Sequence, residues 1–90
     1  MEKTTICRHI DAISELKHSK TDVCEECVKL NTQWVHLRVC QTCGRTLCCD
    51  SSPERHMSHH CRKSGHPVII SAEPGERWIY CFQDDVGSDY

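Results

Sequence analysis

The chain has 90 residues and a formal net charge of −2, with 9 Cys and 7 His among them. Leu, Ile, Val and Phe together number only 17, under a fifth of the chain, the range in which an unassisted sequence tends toward disorder. A single small domain is the upper bound, and a cross-link or a metal has to supply what so thin an apolar set cannot. The balanced charge provides no electrostatic footprint for nucleic acid or anionic lipid. No run approaches the ~18 apolar residues of a membrane span. The opening Met1-Glu2-Lys3-Thr4-Thr5 has no basic segment followed by an apolar stretch, so a cytoplasmic, reducing location is expected. There an odd number of cysteines argues against a disulfide framework, and clusters of reduced Cys with His point to zinc.

In chain order, Ile10, Ile13 and Leu16 are spaced for a short helix after Cys7-Arg8-His9. His18-Ser19-Lys20-Thr21-Asp22 reads as a polar loop, and Glu25 to Leu30 as one or two helical turns following Cys24. Val35, Leu37 and Val39 alternate with His36 and Arg38, the period of a half-buried strand. In Asp50-Ser51-Ser52-Pro53-Glu54, Ser52 suits a helix cap and Pro53 the first helical position, which predicts a helix from about Pro53 to Cys61. Pro67 to Ser71 and Arg77 to Phe82 read as strands, joined through Glu73-Pro74-Gly75-Glu76 with Pro then Gly at the central positions of a type II turn. These elements predict a small zinc-stabilised α+β domain over residues 1–84, with an antiparallel sheet, one or two short helices and a frayed tail at 85–90.

Zinc takes four sulfur, nitrogen or oxygen donors in a tetrahedron, and two thiolates separated by two residues reach one ion from a tight turn. Cys24-Glu25-Glu26-Cys27 and Cys40-Gln41-Thr42-Cys43-Gly44 both have that spacing. His56 and His60 are four apart on the predicted helix and so share a face, and His66 follows at Ser64-Gly65. Cys7 with His9 is a third candidate pair, and Cys81-Phe82-Gln83-Asp84 repeats the gap with a carboxylate in place of the second thiolate. Spacing alone leaves open whether the two Cys pairs share one ion. Cys48, Cys49 and Cys61 each also suit a small buried side chain, and His18, His36 and His59 are expected to face solvent.

Together these residues resemble the UBP-type zinc finger of ubiquitin-specific proteases and of a cytoplasmic histone deacetylase. The likeness runs from Cys7-Arg8-His9 through both Cys pairs, Cys48, His56, His60 and Ser64-Gly65-His66-Pro67 to Trp78 and Tyr80. Trp34-Val35-His36-Leu37-Arg38, Cys48-Cys49-Asp50-Ser51-Ser52-Pro53 and Glu73-Pro74-Gly75-Glu76 are similar to its stand-alone bacterial branch. The resemblance implies an interleaved sharing of Zn2+. One ion takes Cys24, Cys27, Cys48 and His56; a second takes Cys40, Cys43, His60 and His66. A third takes Cys7, His9 and Cys81, with Asp84 where deacetylase-like members have a second cysteine.

It also implies a pocket for the free Gly-Gly terminus of ubiquitin, with aromatic walls and an Arg and a Tyr on the carboxylate. Trp78 and Tyr80 stand where the late wall and that Tyr belong. After Cys48, however, this chain has Cys49-Asp50 in place of Gly-Arg, and Arg38 replaces the early aromatic, with Trp34 four residues further back. An Asp repels a carboxylate, and loss of one partner of a desolvated charge pair costs roughly 2–5 kcal/mol. The expected function is therefore a monomeric zinc-binding interaction module, not an enzyme, that does not take the ubiquitin tail. Its partner is an unidentified protein or peptide, a C-terminal tail among the options, held at Trp34, Arg38, Trp78 and Tyr80. The alternatives are a hydrolase with an open zinc at an incomplete first site and a redox or zinc sensor using Cys49 and Cys61.

Overall fold

The computed structural model describes residues 7–90, so the opening residues read above for a leader lie outside it. Three short helices, α1 (Arg8–Asp11), α2 (Glu25–Leu30) and α3 (His56–Ser64), accompany five strands. The strands are β1 (Leu37–Cys40), β2 (Thr46–Cys48), β3 (Val68–Ser71), β4 (Trp78–Cys81) and β5 (Val86–Asp89). They form one sheet in the order β2-β1-β3-β4-β5, with every neighbouring pair antiparallel.

The central strand β3 is buried at all four residues because both faces of the sheet are covered. The register aligns Val39, Ile70 and Ile79 across three strands. With Val68, Cys7 and Cys81 this row forms one core cluster, over which Ile10, Ile13 and Leu16 of the N-terminal segment pack. Cys40, Ile69 and Tyr80 form the adjacent row on the other face. There the core is Leu37, Leu47, Met57 and Ile69 with five cysteines, so sulfur fills space that larger apolar side chains fill elsewhere. Fully buried Gln41 ties the N-terminal segment down: Lys17 N–H donates to Gln41 Oε1 at 2.8 Å, and Gln41 Nε2 donates to the Lys17 carbonyl at 2.9 Å. That pair of bonds completes a side-chain amide as a neighbouring strand would.

Several expectations are corrected: among the described residues the helices number three rather than one or two, and the strand read from Val35 begins at Leu37, leaving Val35 exposed. The third helix starts at His56, not Pro53, and its N-cap is Arg55 in the left-handed region (φ 46°). Ser52 is buried and does not cap it; its hydroxyl instead accepts from Val35 N–H at 2.8 Å. Residues 46–48, to which the sequence reading gives no element, form strand β2. Residues 86–89, expected to fray, are strand β5, paired with β4 from Trp78↔Asp89 to Cys81↔Val86. An edge strand tolerates such polar residues because backbone pairing, not side-chain burial, holds it. Gly87 also permits close approach: a Cβ there would lie 3.1 Å from the Ile79 carbonyl oxygen.

Candidate metal centres and the adjoining cleft

Three groups of four donors converge, with all donor atoms of each group within 4.8 Å of one another. The first joins Cys24, the N-cap of α2, and Cys27 within it to Cys48 at the end of β2 and His56 at the start of α3. The second joins Cys40 and Cys43, at the β1–β2 turn, to His60 of α3 and His66 just beyond it. The third joins Cys7 and His9 to Cys81 of β4 and Asp84 of the β4–β5 turn. His56 and His60 thus stand one helical turn apart yet face different groups, and the two Cys pairs do not meet on one site.

Each donor is placed by a local device. Gly44 (φ 79°) closes the Cys40–Cys43 turn, its N–H donating to the Cys40 carbonyl at 2.8 Å. Gly65 (φ 75°) ends α3 and redirects the chain toward His66. The ligand sulfurs also act as helix caps. Cys24 Sγ accepts from Cys27 N–H at 3.4 Å at the start of α2, and Cys48 Sγ accepts from His56 N–H at 3.2 Å at the start of α3. That second bond explains why α3 begins three residues late: its first amide is satisfied by a thiol distant in sequence.

The spacing of donors tests whether zinc fits. Bonds of ~2.3 Å to sulfur and ~2.0–2.1 Å to nitrogen in a tetrahedron set donor–donor edges of roughly 3.8 Å for S–S and roughly 3.5 Å for S–N. In the first group, His56 Nδ1 lies 3.4, 3.4 and 3.5 Å from the sulfurs of Cys24, Cys27 and Cys48. Cys27 and Cys48 sulfurs are 3.9 Å apart. The second group gives 3.5 Å for Cys40 Sγ to His66 Nδ1 and 3.4 Å for Cys43 Sγ to His60 Nε2. In the third, His9 Nδ1 lies 3.5 Å from Cys7 Sγ and 3.6 Å from Cys81 Sγ. All are edges of a zinc tetrahedron, so the donor sets fit Zn2+ in number, chemistry and spacing. The exception is Asp84, whose Oδ2 sits 2.7 Å from Cys7 Sγ and 3.1 Å from His9 Nδ1. Those distances are shorter than a shared ion allows, and the carboxylate is 41% exposed. The third group therefore fits less closely than the other two.

Without metal, burial pushes the thiols of Cys7, Cys24, Cys40 and Cys48 above their ordinary value, Cys24 up to about 12. Zinc binds thiolates, so loading releases protons from these groups. The hairpin bearing the second group is clamped to α2 of the first by Arg45, which donates to Glu26 at 2.5 Å and to Glu25 at 3.4 Å. Glu25 also accepts from Thr46 N–H at 2.8 Å. Sequence reading missed this clamp and Gln41; a basic residue just after a thiol turn, opposite two adjacent acids, was the available signal.

Between α3 and the sheet lies a cleft of about 570 Å³. Arg38, Trp78 and Tyr80 line it as expected, and so do Asp50, Phe82 and Asp89. Trp34 does not: it is half-buried against the thiol-rich core, which corrects its assignment to the pocket. Trp34 lies before β1, and Arg38 of that strand lines the cleft in its place. Arg38 is heavily engaged. Its guanidinium stacks over Trp78 at 4.6 Å, and its Nη1 donates to the Leu37 carbonyl at 3.0 Å and to Ser71 Oγ at 3.4 Å. It also lies 3.8 Å from Glu76 Oε1. The Tyr80 hydroxyl donates to Asp85, and that bond pushes its phenol up to about 12. Asp50 accepts from the Ser58 hydroxyl.

The two spare thiols differ. Burial pushes Cys61 up to about 12. Burial also raises Cys49, but the Ser52 hydroxyl, nearby backbone amides and the Arg38 charge outweigh it and bring the thiol below its ordinary value. His18, His36 and His59 are exposed, and all nine cysteines are free of disulfides.

Comparison with known proteins agrees with this geometry. Residues 24–89 match the family described as the Zn-finger in ubiquitin-hydrolases and other protein. The solution NMR structure of protein RPA1320 from Rhodopseudomonas palustris is similar over 97% of this chain and 84% of its own. The two share 42% sequence identity, with a TM-score of 0.82. No curated protein matches the chain. Three donor groups of zinc character, on a fold shared with a bacterial relative and within a region that matches over more than two thirds of the sequence, place the chain in the UBP-type zinc finger family.

Proposed function

We propose that this domain is a zinc-stabilised protein-interaction module whose docking surface is the cleft between α3 and the sheet, and that it does not capture the ubiquitin tail. One observation carries the reading: Asp50, rather than a free guanidinium, stands on the cleft where the resemblance places the carboxylate-binding Arg. Two further features support it. Arg38 is committed to Trp78, Ser71, Glu76 and a carbonyl, and the Tyr80 hydroxyl is given to Asp85, so the cleft's candidate donors to a carboxylate are engaged. The first two groups each close with four donors at tetrahedral spacing and leave no coordination position there for a catalytic water, which favours binding over hydrolysis. Thiols free of disulfides fit a reducing compartment, and we place the module in the cytoplasm as a monomer. Among the described residues no helix is long and apolar enough to cross a membrane.

Titration of the zinc-loaded, 15N-labelled domain with ubiquitin is expected to leave the amides of Asp50, Trp78 and Gly87 unshifted. Selection from a displayed heptapeptide library is expected to enrich binders that Trp78→Ala abolishes while native mass spectrometry still counts the parent's zinc. Ubiquitin-induced shifts in the cleft, or a library with no Trp78-dependent binder, would overturn the reading.

A further inference from the structure

We infer that the cleft takes a cationic side chain, an arginine or lysine presented by a basic segment of a partner protein. This rests on the cleft being the docking surface and names the chemistry it selects. Two carboxylates, Asp50 and Asp89, line the cleft against the single guanidinium of Arg38. The Arg38 charge is already matched by Glu76, and its side chain is only 16% exposed. Ser58 donates to Asp50 Oδ1; among the described residues no protein donor reaches Asp50 Oδ2 or the Asp89 carboxylate. The cleft therefore presents acceptors and negative charge, with no uncommitted cation to hold an anion.

Its walls suit the same ligand. Trp78, Tyr80 and Phe82 form an aromatic side, with Tyr80 and Phe82 edge to face at 5.1 Å. Aromatic faces attract guanidinium and ammonium groups, more strongly where water is partly excluded. The stacking of Arg38 on Trp78 at 4.6 Å shows that the ring accepts a guanidinium in this setting. A volume of about 570 Å³ admits a long side chain and a few backbone atoms around it. An alkyl stem against Met57 and Ile69, with its charged end toward the exposed carboxylates of Asp50 and Asp89, satisfies both the apolar floor and the acidic rim.

The test uses three tripeptides with an arginine, a glutamine or a free terminal carboxylate, each otherwise acetylated, amidated and uncharged. They are titrated into the zinc-loaded, 15N-labelled protein while the Trp78 indole N–H and the Gly87 and Asp89 amides are followed. The arginine peptide is expected to shift these signals saturably, at least tenfold more tightly than the glutamine peptide, with binding weakened by added salt. Asp50→Asn with Asp89→Asn is expected to weaken it about tenfold, the loss of a charge-assisted contact, with the parent's zinc count confirming the fold. Preference for the carboxylate peptide, equal binding of arginine and glutamine, or no effect of the double substitution overturns the inference. The first two outcomes leave the cleft a docking surface; library binders insensitive to Trp78 remove that reading as well.

Discussion

Replacing Asp84 with Ala removes one of four donors from the third metal group and leaves the other two groups untouched. Structural zinc contributes ~10–16 kcal/mol per site in small peptides, so one ligand of four represents roughly 3 kcal/mol, about a hundredfold in affinity at 1.4 kcal/mol per decade. Asp84 is exposed, and a water in its place recovers part of that, so the expected loss is on the order of 10- to 100-fold. The structural consequence is local. Cys7 and His9 anchor the segment whose Ile10, Ile13 and Leu16 cover Val39, Ile70 and Ile79, while the first two groups draw nothing from it. Native mass spectrometry against a graded chelator should find the variant losing one zinc before the parent does, with two retained. Amide exchange should quicken at residues 10–16 and stay slow in α3. Asp84→Cys, which restores a fourth sulfur, should hold the third ion longer than the parent. Equal retention of three ions by the parent and Asp84→Ala would refute the assignment of this ligand, and so would loss of all three together.

Met57 is fully buried in the thiol-rich core, and Met57→Ala should cost about 2–5 kcal/mol in urea unfolding of the zinc-loaded protein. Gln41→Ala removes both bonds to Lys17 and should cost about 1–3 kcal/mol, with faster amide exchange confined to the N-terminal segment. Because burial raises the metal-free thiols of Cys7, Cys24, Cys40 and Cys48, acid competes with zinc for them; the apparent affinity should fall with pH, and loading should release protons measurable by calorimetry. The Ser71 hydroxyl, and then Arg38, hold Glu76 below its ordinary value. Its contribution is thus complete above the usual carboxylate range and lost as pH falls through the lowered value. Parent and Glu76→Gln should accordingly differ in urea midpoint at pH 7 and converge in acid; a gap that widens in acid would contradict the sign.

Much was legible along the chain because metal ligands are chemically rare and their spacing is short-range. The strands read near Val35 to Val39, Pro67 to Ser71 and Arg77 to Phe82 are present as 37–40, 68–71 and 78–81, and Glu73 to Glu76 announced itself by its Pro–Gly turn, where Gly75 has φ 81° and Glu76 N–H donates to the Glu73 carbonyl. The start of α3 was misread because its cap is the sulfur of Cys48 and not the hydroxyl of Ser52, a contact that local capping rules cannot register. Trp34 was misplaced for a similar reason: residue type marks it as a candidate wall, but it precedes β1 and packs against the thiol-rich core, a tertiary contact, while Arg38 lines the cleft.

By itself the sequence determined that the chain needs metal and that its donors come as spaced Cys and His with one carboxylate. These are properties of composition and near neighbours. How the donors are shared is tertiary. Cys48 pairs with Leu37, at the opposite end of the β1–β2 hairpin from Cys40, and three residues of strand separate them by roughly 10 Å. One ion cannot bridge that span, so Cys48 joins α2 while Cys40 and Cys43 turn toward His60 and His66. The same folding pairs the polar residues 86–89 with β4 and brings Asp89 to the cleft that Asp50 also lines. Strand pairing is set by backbone partners distant in sequence, which is why neither was written in the local pattern.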